Sequence, residues 1–360
     1  MANIFTRRKP PVAAPKVTAM TAQDPQVAVL DVAALPRGPV GDLAVDSASG
    51  FVVTTNPADR SITVFDADTL GSARVVAVGG TPGLVAVAED RAYVTTSSLH
   101  DDAVTVVDTR VGTVIARYPL AFTATAMTIS PDGKRVYIGR TGDQDVDVAV
   151  LDTAAERFGT IGIGYRPGTT VDAVRVDAAG RRLYVATTGL AGSALLTVDI
   201  ETARVVRRLR LPSPIRDLAL GRDGLAYVLR SDRRYGGSID VIDLGANVVI
   251  DSVAIGGAPT QLTVSPDGSR AYVVDYDRVA VFDAMTSEVV DEITGEESPA
   301  CVAVREDGRS PACVAVREDG RRIYVADHAG AMTSLATPRK HFAATDPIVR
   351  PDMRELSPAV

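Results

Sequence analysis

The chain has 360 residues, of which 46% are hydrophobic and only 5% aromatic, with no tryptophan, two cysteines, a net charge of −7 and an isoelectric point near 5.1. Two cysteines exclude a disulfide scaffold, the apolar content excludes a disordered chain, and the acidic balance argues against a general nucleic-acid binder, whose phosphate contacts need a basic face. Mean hydropathy is +0.11, yet no run approaches the roughly 20 uninterrupted apolar residues of a membrane helix.

Residues 1–24 carry Arg7, Arg8, Lys9 and Lys16 among prolines, without the apolar stretch of a signal peptide. They are expected to form a flexible basic tail. Cytoplasm is then the default location, with export to the cell envelope as the alternative. From Val27 to Leu35 the sequence VAVLDVAAL reads as a lone strand. After it, a strand-like run ending in Asp recurs six times: Ser61–Asp66, Ala103–Asp108, Asp147–Asp152, Leu195–Asp199, Ser238–Asp243 and Arg278–Asp283. The intervals between those aspartates are 42, 44, 47, 44 and 40 residues. A second apolar run follows in step, from each Asp to the last residue of the next run, as 66→87, 108→129, 199→220, 243→264 and 283→304, always 21 residues. Only 152→176 is longer, at 24.

Between the two lies a third run, Tyr followed by a β-branched residue, at Tyr93, Tyr137, Tyr184, Tyr227, Tyr272 and Tyr324. Turns such as SPDGKR (130–135) and SPDGSR (265–270) lead into it, and Asp-Gly after Pro suits a tight hairpin. A fourth run, for example Arg204–Leu209, follows each aspartate. Units of four short strands repeated every 40–47 residues cannot bury both faces alone, and radial stacking solves that. The expected fold is all-β, a seven-bladed β-propeller spanning residues 25–336, with residues 337–360 as a second tail. The N-terminal strand should complete the last blade in a 3+1 closure that hides its edge.

The pattern carried most clearly by Gln261–Asp283, QLTVSPDGSRAYVVDYDRVAVFD, resembles the YVTN-type β-propeller repeat shared by YncE-like proteins, surface-layer propellers and propeller lactonases, a branch of the WD40-like repeat superfamily. The resemblance covers about Val27 to Ala336 and implies the fold more firmly than the activity.

Ser298–Arg309 reads SPACVAVREDGR and Ser310–Arg321 repeats it without a change, so both cysteines, Cys301 and Cys313, arise from one duplication spanning 298–321. Only one copy can be an innermost strand. The first keeps the 21-residue interval to Asp283; the second keeps the 8-residue interval from Val316 to Tyr324 seen in other blades.

Propeller ligands usually sit over the channel, on the face formed by the loops between second and third strands and those linking blades. That mapping selects His100, Asp102, Arg140, Arg230, Arg233, Arg234, Tyr235, Asp275, Tyr276 and His328 as ligand- or partner-binding candidates. In blade five, Arg233, Arg234 and Tyr235 could clamp an anion or stack on a ring. No haem, zinc-protease, nucleophile-elbow or phosphate-loop motif is present, and the alternating carboxylates of Asp143–Asp147 lack the glycine and glutamate of a calcium loop. No cofactor, metal or catalytic residue is assigned. The leading expectation is a monomeric, non-catalytic scaffold that binds a protein or envelope component. Two readings stand beside it. The family resemblance alone implies a propeller-type lactonase, and single-stranded nucleic-acid binding would need a basic face with stacking aromatics.

Overall fold

The computed structural model describes residues 28–34, 39–46, 48–71, 73–99, 101–143, 145–164, 167–212, 214–275, 278–293, 311–318, 321–327 and 331–336. Both tails and the first copy of the duplicated segment lie outside them. The described residues form seven four-stranded antiparallel sheets. Six sheets take four consecutive strands, beginning with Leu43–Asp46, Phe51–Asn56, Ser61–Asp66 and Arg74–Ala77 in blade 1. The seventh takes Pro311–Val316, Arg322–Asp327 and Ala331–Ala336, and its fourth strand is the N-terminal Ala28–Ala34. Closure is antiparallel, running from Ala28 opposite Ala336 to Ala34 opposite Ala331, with one bulge between Val29 and Asp31. The expected 3+1 ring is therefore the observed one. The helical content among the described residues is a single 3-10 turn at Pro57–Asp59, where proline sets the first position and Arg60 leaves in the left-handed region at φ 51°.

Side chains alternate across each sheet, so every blade offers one apolar face to each neighbour. The core divides accordingly into seven clusters, one at each seam. Val53, Ile62, Val85 and Val94 join blades 1 and 2, and Val148, Ile161, Val174 and Leu196 join blades 3 and 4. The ring closes through Leu43, Phe65, Cys313, Tyr324 and Met332 between blades 7 and 1.

The repeated residues have physical roles in this geometry. All six repeat tyrosines are buried. The ring fills a seam, and the hydroxyl of Tyr324 donates to the Ala67 carbonyl of the next blade at 2.6 Å. The repeated aspartates cap the turn between third and fourth strands. Oδ1 of Asp108 accepts the amides of Arg110 and Val111 at 2.9 Å, and Oδ1 of Asp283 accepts those of Met285 and Thr286 at 2.8 and 3.2 Å. Such Asx turns hold the backbone so that a later residue can take positive φ, as Gly112, Asn247 and Ser287 do.

In blade 7 the second copy of the duplication is the innermost strand, with Val314 opposite Val325 and Val316 opposite Ile323. The short hairpin to the tyrosine strand decided the register over the longer interval from Asp283, as loop-closure entropy favours. Cys313 is buried at the 7–1 seam, and burial pushes its thiol well above the ordinary range.

Replacing Tyr324 by Phe keeps the ring and leaves the Ala67 carbonyl without its donor. The expected loss is about 1–2 kcal/mol by denaturant titration. An unchanged midpoint would show that the hydroxyl does not tie the closing seam.

Candidate functional site

The upper face is built by the hairpins between second and third strands together with the connections between blades. Three of the predicted residues are committed within their own blades. Arg140, on Arg135–Thr141, lies opposite Asp147 and grips it with two bonds of 2.8 and 2.7 Å, while its guanidinium stacks 5.4 Å from the centre of the Phe122 ring. Arg230 pairs with buried Asp240 at 2.6 Å, and Ser252 donates to the same carboxylate at 2.7 Å. Asp275 accepts the Ala258 amide at 2.7 Å and pairs with Arg278 at 3.2 Å. A methyl group added at Gly257, itself at φ +61°, would fall 2.0 Å from that carboxylate, so the glycine is what lets the carboxylate approach.

Asp102 is half-buried and accepts from Thr123 of the neighbouring blade at 2.8 Å. Arg233, Arg234 and Tyr235 form an exposed hairpin tip, with Tyr235 76% accessible and Arg234 lying 5.5 Å from its ring centre. Asp232 fixes this tip by accepting the amides of Arg234 and Tyr235 at 2.7 and 3.2 Å. His100, Tyr276 and His328 lie outside the described residues. The structure thus brings the blade-five trio together and leaves Arg140, Arg230 and Asp275 in separate blades, each with its own partner.

Sequence reading missed the polar groups along the channel. The innermost strand of each blade has no further strand to receive its outward amides, and unpaired buried amides are costly. Side chains from the preceding blade accept them instead. Asp42 Oδ2 accepts from Val85, Asp217 Oδ2 from Leu262 and Gln261 Oε1 from Val314, at 2.9, 2.9 and 2.8 Å. Asp217 also takes Arg175 of blade 4 at 2.8 Å. Asp42 is half-buried, and burial pushes its carboxyl up to about 6, against the opposing pull of the Val85 and Leu43 amides. Burial likewise raises Asp217, with Arg175 the main opposing influence.

A second feature that sequence reading missed is a cleft of about 720 Å³ at the seam of blades 3 and 4. Its floor includes Val146, Ile163 and Leu196, and its rim includes Leu190, Arg208 and Arg210. The available signal was the fourth strand of blade 4, Arg204–Leu211, whose sequence RVVRRLRL holds four arginines.

Comparison with known proteins agrees with this architecture. The chain is 30% identical over 370 aligned positions to a seven-bladed beta-propeller protein of Mycobacterium tuberculosis, covering 90% of this chain and 91% of that one. This chain belongs to the seven-bladed β-propeller protein family. A second member, from Mycolicibacterium smegmatis, is 50% identical over 262 positions, covering 72% of this chain and 71% of the relative. No family model matches the chain. Among solved structures, a chain of the Kuenenia stuttgartiensis hydrazine synthase superposes with a TM-score of 0.67, covering 90% of this chain and 99% of that one, at 19% identity. That likeness concerns the fold alone. No helix among the described residues is long and apolar enough to cross a membrane.

Two predictions follow from the geometry of the face and channel. Arg140→Ala strands a partly buried carboxylate and should lower stability by about 3 kcal/mol in denaturant titration, whereas Arg233→Ala should leave the midpoint unchanged; equal effects would contradict the assignment of roles. Asp42 holds its proton more tightly in the folded protein than in the unfolded chain, where its carboxyl lies near 3.8. Its contribution is therefore greatest below about pH 4 and is lost as pH rises through about 6. The wild-type Tm minus the Asp42→Asn Tm should fall between pH 4 and pH 7, and a flat difference would refute the assignment.

Proposed function

We propose that this protein is a non-catalytic binding propeller of YVTN type that presents its upper loop face to an acidic segment of a protein partner. The supporting observation is the contrast between the charged hairpins. Arg140, Arg230 and Asp275 are held by charged partners within their own blades, so recruiting them for proton transfer or oxyanion stabilisation would require breaking those pairs. Arg233, Arg234 and Tyr235 instead stand in solvent on a tip whose backbone is fixed by Asp232. Arg and Tyr are residue types that dominate binding energy at protein interfaces, and two adjacent guanidiniums suit carboxylates. A rigid ring beneath them limits the entropy lost on docking. The net charge of −7 favours a protein over an extended nucleic acid as the occupant.

The test compares affinity capture by the wild type and by an Arg233→Ala, Arg234→Ala, Tyr235→Ala variant, followed by titration of the purified partner. A partner whose affinity falls at least tenfold in the triple variant supports the reading. Identical capture by both proteins overturns it. So does lactone hydrolysis by the wild type that is lost on Asp102→Ala, which would favour the enzyme. Salt-sensitive retention of a single-stranded oligonucleotide, lost in the triple variant, would reassign the tip to nucleic acid.

A further inference from the structure

We infer that the cleft between blades 3 and 4 is a binding site for a small amphipathic anion, a carboxylate or phosphate head on an aliphatic body. The site is distinct from the blade-five hairpin and does not depend on it. The cleft volume of about 720 Å³ falls within the roughly 300–1,000 Å³ typical of small-molecule sites.

Its chemistry is divided between floor and rim. Val146, Ile163, Ala194 and Leu196 are all buried and give an apolar base. Arg208 and Arg210 are exposed at the rim. They stand two residues apart on one strand and therefore on the same face, with their backbones roughly 6.6 Å apart. Two guanidiniums at that spacing can converge on one anionic group from either side, each with planar paired donors. No carboxylate lines the cleft among the described residues, although the whole chain carries −7. The charge of the cleft's described lining is thus opposite in sign to the net charge of the chain.

Two positive-φ glycines, Gly164 and Gly168, lie beside the opening. Gly164, at φ +113°, faces the Arg208 guanidinium, where an added methyl group would come within 4.0 Å. Across the mouth, Leu190 at the tip of the blade-4 hairpin is 95% exposed and leans over Gly168, whose added methyl would meet it at 3.5 Å. Exposing a leucine so completely costs solvation free energy, which contact with an aliphatic chain would recover. On the same strand Arg207, Leu209 and Leu211 serve the seam with blade 5, where Arg207 donates to the carbonyls of Leu244 and Gly245 at 3.0 and 2.6 Å, while Arg208 and Arg210 line the cleft.

Calorimetric titration with decanoate and decyl phosphate, each below its micelle concentration, tests the site. Decanol and acetate separate body from head, and the two anionic heads distinguish carboxylate from phosphate. The expected result is saturable one-to-one binding of at least one decyl anion, at least tenfold tighter than decanol or acetate and weakened by salt. Arg208→Ala with Arg210→Ala should reduce affinity at least tenfold. Leu190→Ser, at an exposed tip that bears no core contact, should reduce it several-fold. The Arg233, Arg234, Tyr235 triple variant should bind as the wild type does. Absence of saturable binding, or equal binding by the double-arginine variant with an unchanged circular dichroism spectrum, overturns the inference.

Discussion

Closure of the ring at the seam of blades 7 and 1 is the constraint on which the rest depends. A four-stranded sheet with two apolar faces has no stable place in water alone, and six stacked seams would still leave two faces bare. The seventh seam, filled by Phe65, Cys313, Tyr324 and Met332, removes both at once. Its covalent logic is that the first strand of the chain supplies the last edge of the final blade. Opening the ring would then require peeling a strand from its partner as well as separating packed side chains.

Closure creates the polar problem at the axis. Seven innermost strands turn an edge toward the channel, and amides there need acceptors. Asp42, Asp217 and Gln261 each supply one across a seam, so the channel carboxylates act as inter-blade latches. The same economy governs the upper face, where Arg140–Asp147 and Arg230–Asp240 tie second to third strands within a blade. Charges that look functional in a linear reading are thereby divided into those that hold the disc together and those left for contact. The blade-five tip belongs to the second group.

The fold was legible because its constraints repeat. Each aspartate at the end of a third strand caps the same turn, and each tyrosine fills the same seam, so their intervals recorded blade size and blade number. The channel latches were not legible, because equivalent positions hold Asp42, Leu84, Ala126, Ala173, Asp217, Gln261 and Cys313, and a feature met by different residues leaves no period. The Arg140–Asp147 pair could have been found once the hairpin was aligned, since the two residues lie directly opposite each other. Reading loops as uniformly solvated hid that pairing. The cleft escaped notice because it depends on two blades 40 residues apart, although the arginine-rich strand Arg204–Leu211 marked one wall. For the duplicated segment, two intervals competed, and the local hairpin prevailed over the longer connection.

Hydrogen–deuterium exchange of the full chain measures closure most directly. If the N-terminal strand completes blade 7, the amides of residues 28–34 should exchange as slowly as those of Ala331–Ala336, and both should lose protection together as denaturant is raised. Exchange of residues 28–34 within seconds, while 331–336 stay protected, would contradict the closed ring.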